Sequence, residues 1–408
     1  MKVVSVYNRY LNRGGEDEGF ENEGKLLERK GCEVTLVTEQ VKTPDGLIES
    51  ARLALDAIWS RTWYTKFEGI LREKKPDVVH VHNFFPTMSP SIYYACRDNG
   101  VPVVQTLHNS RLLCPASSFY REERVCEDCL GKTPPWPAVV HGCYQNSRAR
   151  SGVIAAMLTV HRYLETWRKM VDIFVVATDF YRRKFIQGGI PEDKIMMKPF
   201  FIDPDPGVKG TRGDYALFIG RLSPEKGIRT MLAAWEQLDG IPLKVRGGGP
   251  LLKEVKDFAR DHSGVEVIPN RLEAQEWTAL MKNARFLVWP SAGIFETFGL
   301  VAVDAFACGM PVIASRSGAM AEIVTDKRTG LQFTVGDPQD LAEKVAWAWS
   351  NPEEMEEMGR NARIEYETKY TAERNYHMLM EVYQRAISGT RHVLNVHRTA
   401  EGRLGDLT

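Results

Sequence analysis

The sequence predicts an α/β protein built from two Rossmann-like, doubly wound domains that face each other across a cleft. Three observations predict it. Short apolar runs alternate with helix-like stretches, the pattern of βαβ units and parallel sheets. The alternation occurs twice along the chain. Between the two series, after Phe200, the composition shifts to Ile-Asp-Pro-Asp-Pro-Gly-Val-Lys-Gly-Thr-Arg-Gly, which reads as an interdomain linker. A chain of 408 residues is also long for a single core. The expected organisation is a first domain at 1–203, a second at 204–371, a helix at 372–388 and an aperiodic, loose tail at 389–408.

In the first domain, Lys2 to Tyr7 reads as a buried strand, followed by a loop with Gly14-Gly15 and a helix from Glu16 to Lys30 that Gly31 ends. Further strands are expected at Cys32–Thr38, Val78–His82, Val101–Leu107 and Ile173–Thr178. Ligands of such sheets bind beyond the carboxyl ends of the strands, which is where Gly14-Gly15, His82-Asn83 and His108-Asn109 fall. The two glycines form no G-x-G-x-x-G fingerprint. They serve either a tight turn or a close backbone approach to a ligand.

The alternation breaks at residues 109–146, an insertion holding four of the seven cysteines as Cys114-x11-Cys126-x2-Cys129-x13-Cys143. A C-x-x-C pair can present two thiolates to one tetrahedral ion, so a structural zinc stands beside buried or redox-active thiols as a reading. The segment from Arg148 to Lys169 is apolar with basic ends. It suits a core helix with snorkelling ends, or a face that meets a lipid surface or a lipid-linked acceptor.

Strands of the second domain are expected at Tyr215–Ile219, Leu243–Arg246, Val265–Ile268, Phe286–Trp289 and Val312–Ala314. The first runs into Gly220-Arg-Leu-Ser-Pro-Glu-Lys-Gly227, where Arg221 and Lys226 sit on a loop at a strand's carboxyl end and could neutralise a diphosphate. Gly247-Gly-Gly-Pro250, with Gly249 at its centre, makes a turn that lets a base or ribose approach the backbone. Farther on, Glu296 opens a loop, Phe298, Gly299 and Leu300 lead into a helix whose first amides favour an anion, and Asp304 follows about one turn later. This set suits a sugar–diphosphate–nucleoside: Glu296 for sugar hydroxyls, amides for phosphate, Asp304 for a ribose diol.

Composition excludes several classes. Lysine plus arginine (53) balances aspartate plus glutamate (53), so no global field draws the chain to nucleic acid or to an anionic membrane. The first residues run straight into a strand pattern, and no apolar run reaches the ~18 residues of a membrane span, so a cytoplasmic protein, peripheral to the inner membrane face at most, is expected.

Gly220-Arg221, Glu225-Lys226-Gly227, the Gly247–Pro250 loop, Glu296-x7-Asp304 around Phe298-Gly299-Leu300, and Ala307-Cys-Gly-Met-Pro-Val312 together resemble the nucleotide-sugar domain of glycosyltransferase family 4. Gly14-Gly15, the Asp77–His82 strand and Thr106-Leu-His108 resemble its first domain, and the likeness runs to about residue 385. The resemblance implies the GT-B fold, with the last helix crossing back to the first domain, and a retaining hexosyl transfer from a nucleotide-diphosphate sugar, UDP or GDP foremost, to a glycan or lipid-linked acceptor in polysaccharide biosynthesis. It implies no cofactor for catalysis. Arg221 and Lys226 would bind the diphosphate with the amides of Phe298 to Leu300, and Gly14, Gly15, Gly220 and Gly249 would lie along the donor. Glu296 would hold the sugar, and His108 would sit at the reaction centre. Asp304 departs from the family pattern, which has glutamate there. A nucleotide-sugar 2-epimerase of the same fold and a non-catalytic subunit of a glycan-assembly complex are the rival readings.

Overall fold

The structure, a computed structural model, describes residues 1–10, 14–41, 45–269, 272–293 and 296–405, with side chains as far as residue 390. Its strands in chain order are Lys2–Arg9 (β1), Glu33–Gln40 (β2), Val78–Asn83 (β3), Val103–Thr106 (β4), Tyr120–Arg121 (β5), Arg124–Val125 (β6), Ile173–Val176 (β7) and Ile195–Met197 (β8) in the first half. The second half holds Tyr215–Ile219 (β9), Leu243–Arg246 (β10), Val265–Ile268 (β11), Ala284–Trp289 (β12), Val312–Ser315 (β13) and Gly330–Phe333 (β14).

Two six-stranded parallel sheets result, in the orders β2-β1-β3-β4-β7-β8 and β11-β10-β9-β12-β13-β14. Strand order reverses beside β1 in one sheet and beside β9 in the other, which creates a crevice at the carboxyl ends of each. Apolar runs such as Val103–Thr106 and Val312–Ser315 are buried throughout, as strands covered by helices on both faces must be. Each sheet accordingly has two apolar clusters, one per face. The strands β8 and β14 were not foreseen from the sequence. They are short edge strands of three and four residues with too little pattern to register.

Helix Ala372–Gly405 lays Leu379, Val382, Tyr383 and Ala386 against Val3, Val78, Val104 and Ile173 of the first sheet. Burying four such side chains favours the crossing by several kcal/mol, at about 25 cal/mol per Å² of apolar surface. A loose tail was expected from residue 389, but the helix continues through Gly405. That stretch has no proline to break the helix. At the linker, Arg363 grips Asp205 with both ends of its guanidinium, at 2.8 and 2.7 Å.

Helix Arg148–Tyr163 is a core helix along one face: Ser147 caps it, and Ile154, Met157 and Leu158 are buried in the first domain. Its other face leaves Tyr163 87% exposed, near helix Gly46–Ile58 with Leu47 and Ile48 also exposed.

Candidate functional site

The two crevices form one cavity of about 960 Å³, lined from the first domain by Gly15, Glu16, Glu18 and His108 and from the second by Gly220, Lys226, Arg246, Glu296 and Asp304. Hydrogen bonds cross beside it. Thr297 Oγ1 donates to the His108 carbonyl (2.9 Å), Thr178 Oγ1 donates to the Thr297 carbonyl (3.1 Å), and Glu322 accepts from the amides of Asp179 and Phe180 (2.8 and 2.9 Å). The last contact caps helix Asp179–Gln187 with a carboxylate from the opposite domain.

Glu296 is the hub of the second-domain wall. Its Oε1 accepts from the ammonium of Lys226, from Ser291 Oγ (2.9 Å) and from Trp289 Nε1 (3.3 Å). Lys226 ends a short 3-10 turn, Pro224–Lys226, that closes on Gly227 in the left-handed region. A side chain at Gly227 would bring Cβ to 1.8 Å from the Pro290 carbonyl oxygen. That close backbone approach is what seats the lysine beside the loop that carries Glu296.

Past Glu296, Gly299 has φ +126°, and a Cβ there would lie 2.1 Å from the Trp289 ring. It caps helix Leu300–Ala307, and Phe298, Gly299, Leu300 and Val301 line the cavity at that helix's N-terminus. The Phe298 side chain is buried against Phe200 and Tyr370, so the residue offers the cavity its backbone. Asp304 stands at the far end, its pKa pushed up to about 7 by burial and then by the Glu18 carboxylate across the cleft.

His108 stacks flat on Phe200, with centroids 5.0 Å apart and planes within 2°. Its Nε2 lies 2.9 Å from His82 Nδ1, and His82 Nε2 lies 3.3 Å from Glu23 Oε1. Glu23 is buried, in contact with Lys198 Nζ (2.8 Å) through Oε2 and His80 Nδ1 (2.9 Å) through Oε1. Burial alone would raise the Glu23 pKa, but Lys198 and then His80 outweigh it and hold the carboxyl well below its usual range. Burial lowers His80 to about 4 and, with His82, depresses His108 strongly, so both imidazoles are neutral at pH 7. The anion favours the His82 tautomer with its Nε2 proton toward Glu23, which leaves Nδ1 to accept from His108 Nε2–H. The second nitrogen of His108, Nδ1, is then an acceptor.

Among the described residues, Glu23, His80 and His82 are the group whose ligand atoms lie within 4.8 Å of one another, as a metal would need. Here the cation is Lys198, with Asn375 as its second partner (3.2 Å), while His80 bonds Tyr383 (2.9 Å) and Thr106 (2.7 Å). The group is an ion-pair network in which Lys198 supplies the cation beside Glu23.

The cavity thus gathers His108, Lys226, Glu296, Gly15, Gly220, Phe298, Gly299, Leu300 and Asp304, nine residues singled out from the sequence. Three others fall elsewhere. Arg221 is exposed and is not among the lining residues. Gly14 caps helix Gly15–Arg29, one residue short of the cavity wall. Gly249 answers to packing: at φ +153° a Cβ would meet the Leu222 carbonyl oxygen at 2.5 Å. Sequence reasoning missed Glu16, which accepts from Asn109 Nδ2 (3.1 Å), and Arg246, stacked 4.7 Å over Trp277. Arg246 ends β10 immediately before the triple glycine, a position that could have signalled it.

Two parallel-sheet domains with a polar cleft between their carboxyl ends define a GT-B protein, the architecture of glycosyl transfer from nucleotide sugars. Residues 14–206 match the model described as Glycosyltransferase Family 4 and residues 202–365 match Glycosyl transferases group 1, so each half of the chain is similar to glycosyltransferases. Over 176 residues it is 35% identical to an uncharacterized glycosyltransferase of Methanocaldococcus jannaschii, covering 42% of this chain and 49% of that protein. Over 210 residues it is 30% identical to D-inositol 3-phosphate glycosyltransferase of Paenarthrobacter aurescens, covering 48% and 50%. The match thus spans about half the length of these relatives. Among solved structures, HepE of Anabaena in complex with UDP superposes with a TM-score of 0.68 at 16% identity, over 94% of this chain and 100% of that one. Sucrose-phosphate synthase of Thermosynechococcus elongatus gives 0.71 at 16% identity over 95% and 99%. At such identities the likeness establishes the fold.

Proposed function

We propose that the protein is a retaining glycosyltransferase that moves a sugar from a nucleotide-diphosphate sugar to a hydroxyl of a glycan or lipid-linked acceptor. The observation that carries this is the Lys226–Glu296 contact at the N-terminus of helix Leu300–Ala307, facing His108 across the cavity. Cation and helix amides suit a diphosphate, the carboxylate suits sugar hydroxyls, and the neutral His108 suits a hydroxyl on the other side. HepE was solved with UDP, which favours a uridine donor here.

In this reading the acceptor oxygen attacks the sugar carbon from the face the diphosphate leaves, and the leaving phosphate takes the proton. Charge grows on the diphosphate oxygens as the bond breaks. The Lys226 ammonium and the amides of Phe298 to Leu300 stabilise it without reorganising. Glu296 releases Lys226 to the phosphate and keeps the Ser291 and Trp289 bonds that orient it toward the sugar. His108, held by Phe200 and by His82, accepts from a sugar hydroxyl through Nδ1. The Gly15 end of helix Gly15–Arg29 is followed by Glu16, Asp17 and Glu18, so a phosphate there would meet backbone amides but also the repulsion of the cavity-lining Glu16 and Glu18.

The exposed Leu47, Ile48 and Tyr163, with basic Arg52 and Arg148 on the same two helices, support an additional contact with the membrane that carries a lipid-linked acceptor. Incubation with a panel of uridine, guanosine and adenosine diphosphate sugars tests the donor by thermal stabilisation. Proton NMR of the glycoside formed reports the anomeric configuration, and an inverted product or acceptor-free C2 epimerisation would refute the reading. Co-sedimentation with anionic vesicles tests the membrane contact.

A further inference from the structure

The insertion between β4 and β7 raises a separate question, independent of sugar transfer. From Asn109 to Asn146 its regular structure amounts to the two-residue strands β5 and β6 and the single-turn helix Trp136–Val140. So little regular structure leaves few ladder bonds to hold it, and small loop-rich modules of this kind need a staple. Yet the insertion is held in place. It supplies Ser117 to the cleft, and Glu123 pairs with Arg229 of the second domain.

Its interior contains a second, very small cavity, about 20 Å³, and all four cysteines of the insertion line it, with Arg121 and Asp128 at its edge. That volume holds a single ion or water-sized body. The sulfurs come from three separate places: Cys114 from the turn after β4, Cys126 and Cys129 from the stretch following β6, and Cys143 from the turn beyond helix Trp136–Val140. Their convergence closes the insertion on itself. Cys126 is positioned by its amide, which donates to the Phe119 carbonyl (2.8 Å), and the Cys143 amide donates to the Ala138 carbonyl (3.0 Å). No disulfide joins them, and Cys129 is 8% exposed.

We propose that Cys114, Cys126, Cys129 and Cys143 bind one structural zinc ion as a tetrathiolate that staples the insertion to the cleft. Their sulfurs do not meet the 4.8 Å mutual spacing that Glu23, His80 and His82 meet. A tetrahedral ion with Zn–S of about 2.3 Å sets S···S at about 3.8 Å, so binding draws the loops inward over the small cavity. Four thiol protons leave to solvent as the ion enters, and no redox step is involved. The doubly negative centre has compensation at hand. Arg121 lies against Cys126 and Cys143, and the half-buried Arg162, which donates to the Leu112 carbonyl (2.8 Å), lies near Cys129. Arg121 also pairs with Asp128 (3.1 Å), and two guanidiniums beside four sulfurs suit a thiolate cluster.

The test is elemental analysis of the full chain purified without chelator. About one zinc per chain is expected, falling below about a tenth in the Cys126→Ser/Cys129→Ser double variant and unchanged in Cys32→Ser. Titration with a mercurial in the presence of a zinc-sensitive dye avoids reliance on a variant that fails to fold: one zinc should appear as about four thiols are consumed. Less than about a tenth of a zinc per chain, before and after incubation of the reduced protein with zinc, would overturn the proposal, as would a mass lower by two hydrogens per bridge showing that the cysteines pair as disulfides.

Discussion

His82 Nδ1 lies 2.9 Å from His108 Nε2, and through this contact the cavity-lining histidine is coupled to a charge it never touches. Behind His82 stand Glu23 and Lys198, both buried, Lys198 with no exposed surface at all. The four residues come from β3, helix Gly15–Arg29 and two loops of the first domain, and the C-terminal helix seals the network with Asn375 and Tyr383.

Breaking that network should unfold the protein before it merely slows it. Glu23→Gln leaves the Lys198 ammonium buried without its counter-charge, a loss of about 3–5 kcal/mol. Thermal denaturation should show it, and the Glu23→Gln/Lys198→Met pair should recover part of the loss. A single variant with wild-type Tm would show that water reaches Lys198.

The same network sets the acid response. His80 is depressed from 6.5 to about 4, so below pH 6.5 the unfolded chain takes up a proton that the folded chain refuses. Stability is therefore whole above pH 6.5 and falls as pH drops toward 4. Glu23 adds to it in the same sense, since its depressed carboxyl contributes only above its unfolded pKa and loses that contribution as pH falls. Tm measured between pH 7.5 and 4.5 in the Asp304→Asn background, which removes the opposing titration of that raised carboxyl, should decline below 6.5, and a flat profile there would mean that the imidazoles accept protons in the native state.

At the other wall, Lys226→Ala should lower kcat/KM by about 10²-fold or more, because one preorganised donor to developing charge is worth that much. Arg221 sets a sharper question, being exposed in this structure. An equal loss in Arg221→Ala means that the donor draws the guanidinium inward. Near-normal turnover leaves the diphosphate to Lys226 and the helix amides.

How much of this was legible in the sequence follows from how local each signal is. The Glu296–Asp304 segment and the Gly220–Gly227 loop each form one strand–loop–helix unit, so glycines and charges declare the site within a few residues. The His82–Glu23–Lys198 network is assembled from positions 175 residues apart, and nothing near Lys198 marks it as buried. Gly249 misled because a glycine demanded by the Leu222 carbonyl reads in sequence like one demanded by a ligand. The prediction that separates these is Gly249→Ala: a Cβ 2.5 Å from a backbone oxygen should cost about 1–3 kcal/mol in Tm-derived stability without donor present. A variant of normal stability that loses only donor affinity would restore Gly249 to the binding site.

Asp304 gives the last prediction, and its sign runs opposite to that of Glu23. Its carboxyl titrates near 3.8 when unfolded and at about 7 in the fold, so between these values the folded chain holds a proton that the unfolded chain releases. Stability therefore falls as pH rises from about 4 to about 7, and above 7 the native state carries an ionised Asp304 facing Glu18. Asp304→Asn removes that burden. Its Tm should exceed wild type at pH 8 and match it at pH 4.5. If the carboxylate also holds a ribose diol, the same variant should bind a nucleotide-diphosphate sugar about tenfold more weakly at pH 8, since a hydrogen bond to a charged acceptor is worth about 1.5–3 kcal/mol. Higher stability with weaker binding is the joint result expected of a residue strained for its ligand, and unchanged affinity would leave Asp304 a cleft acid with no part in donor recognition.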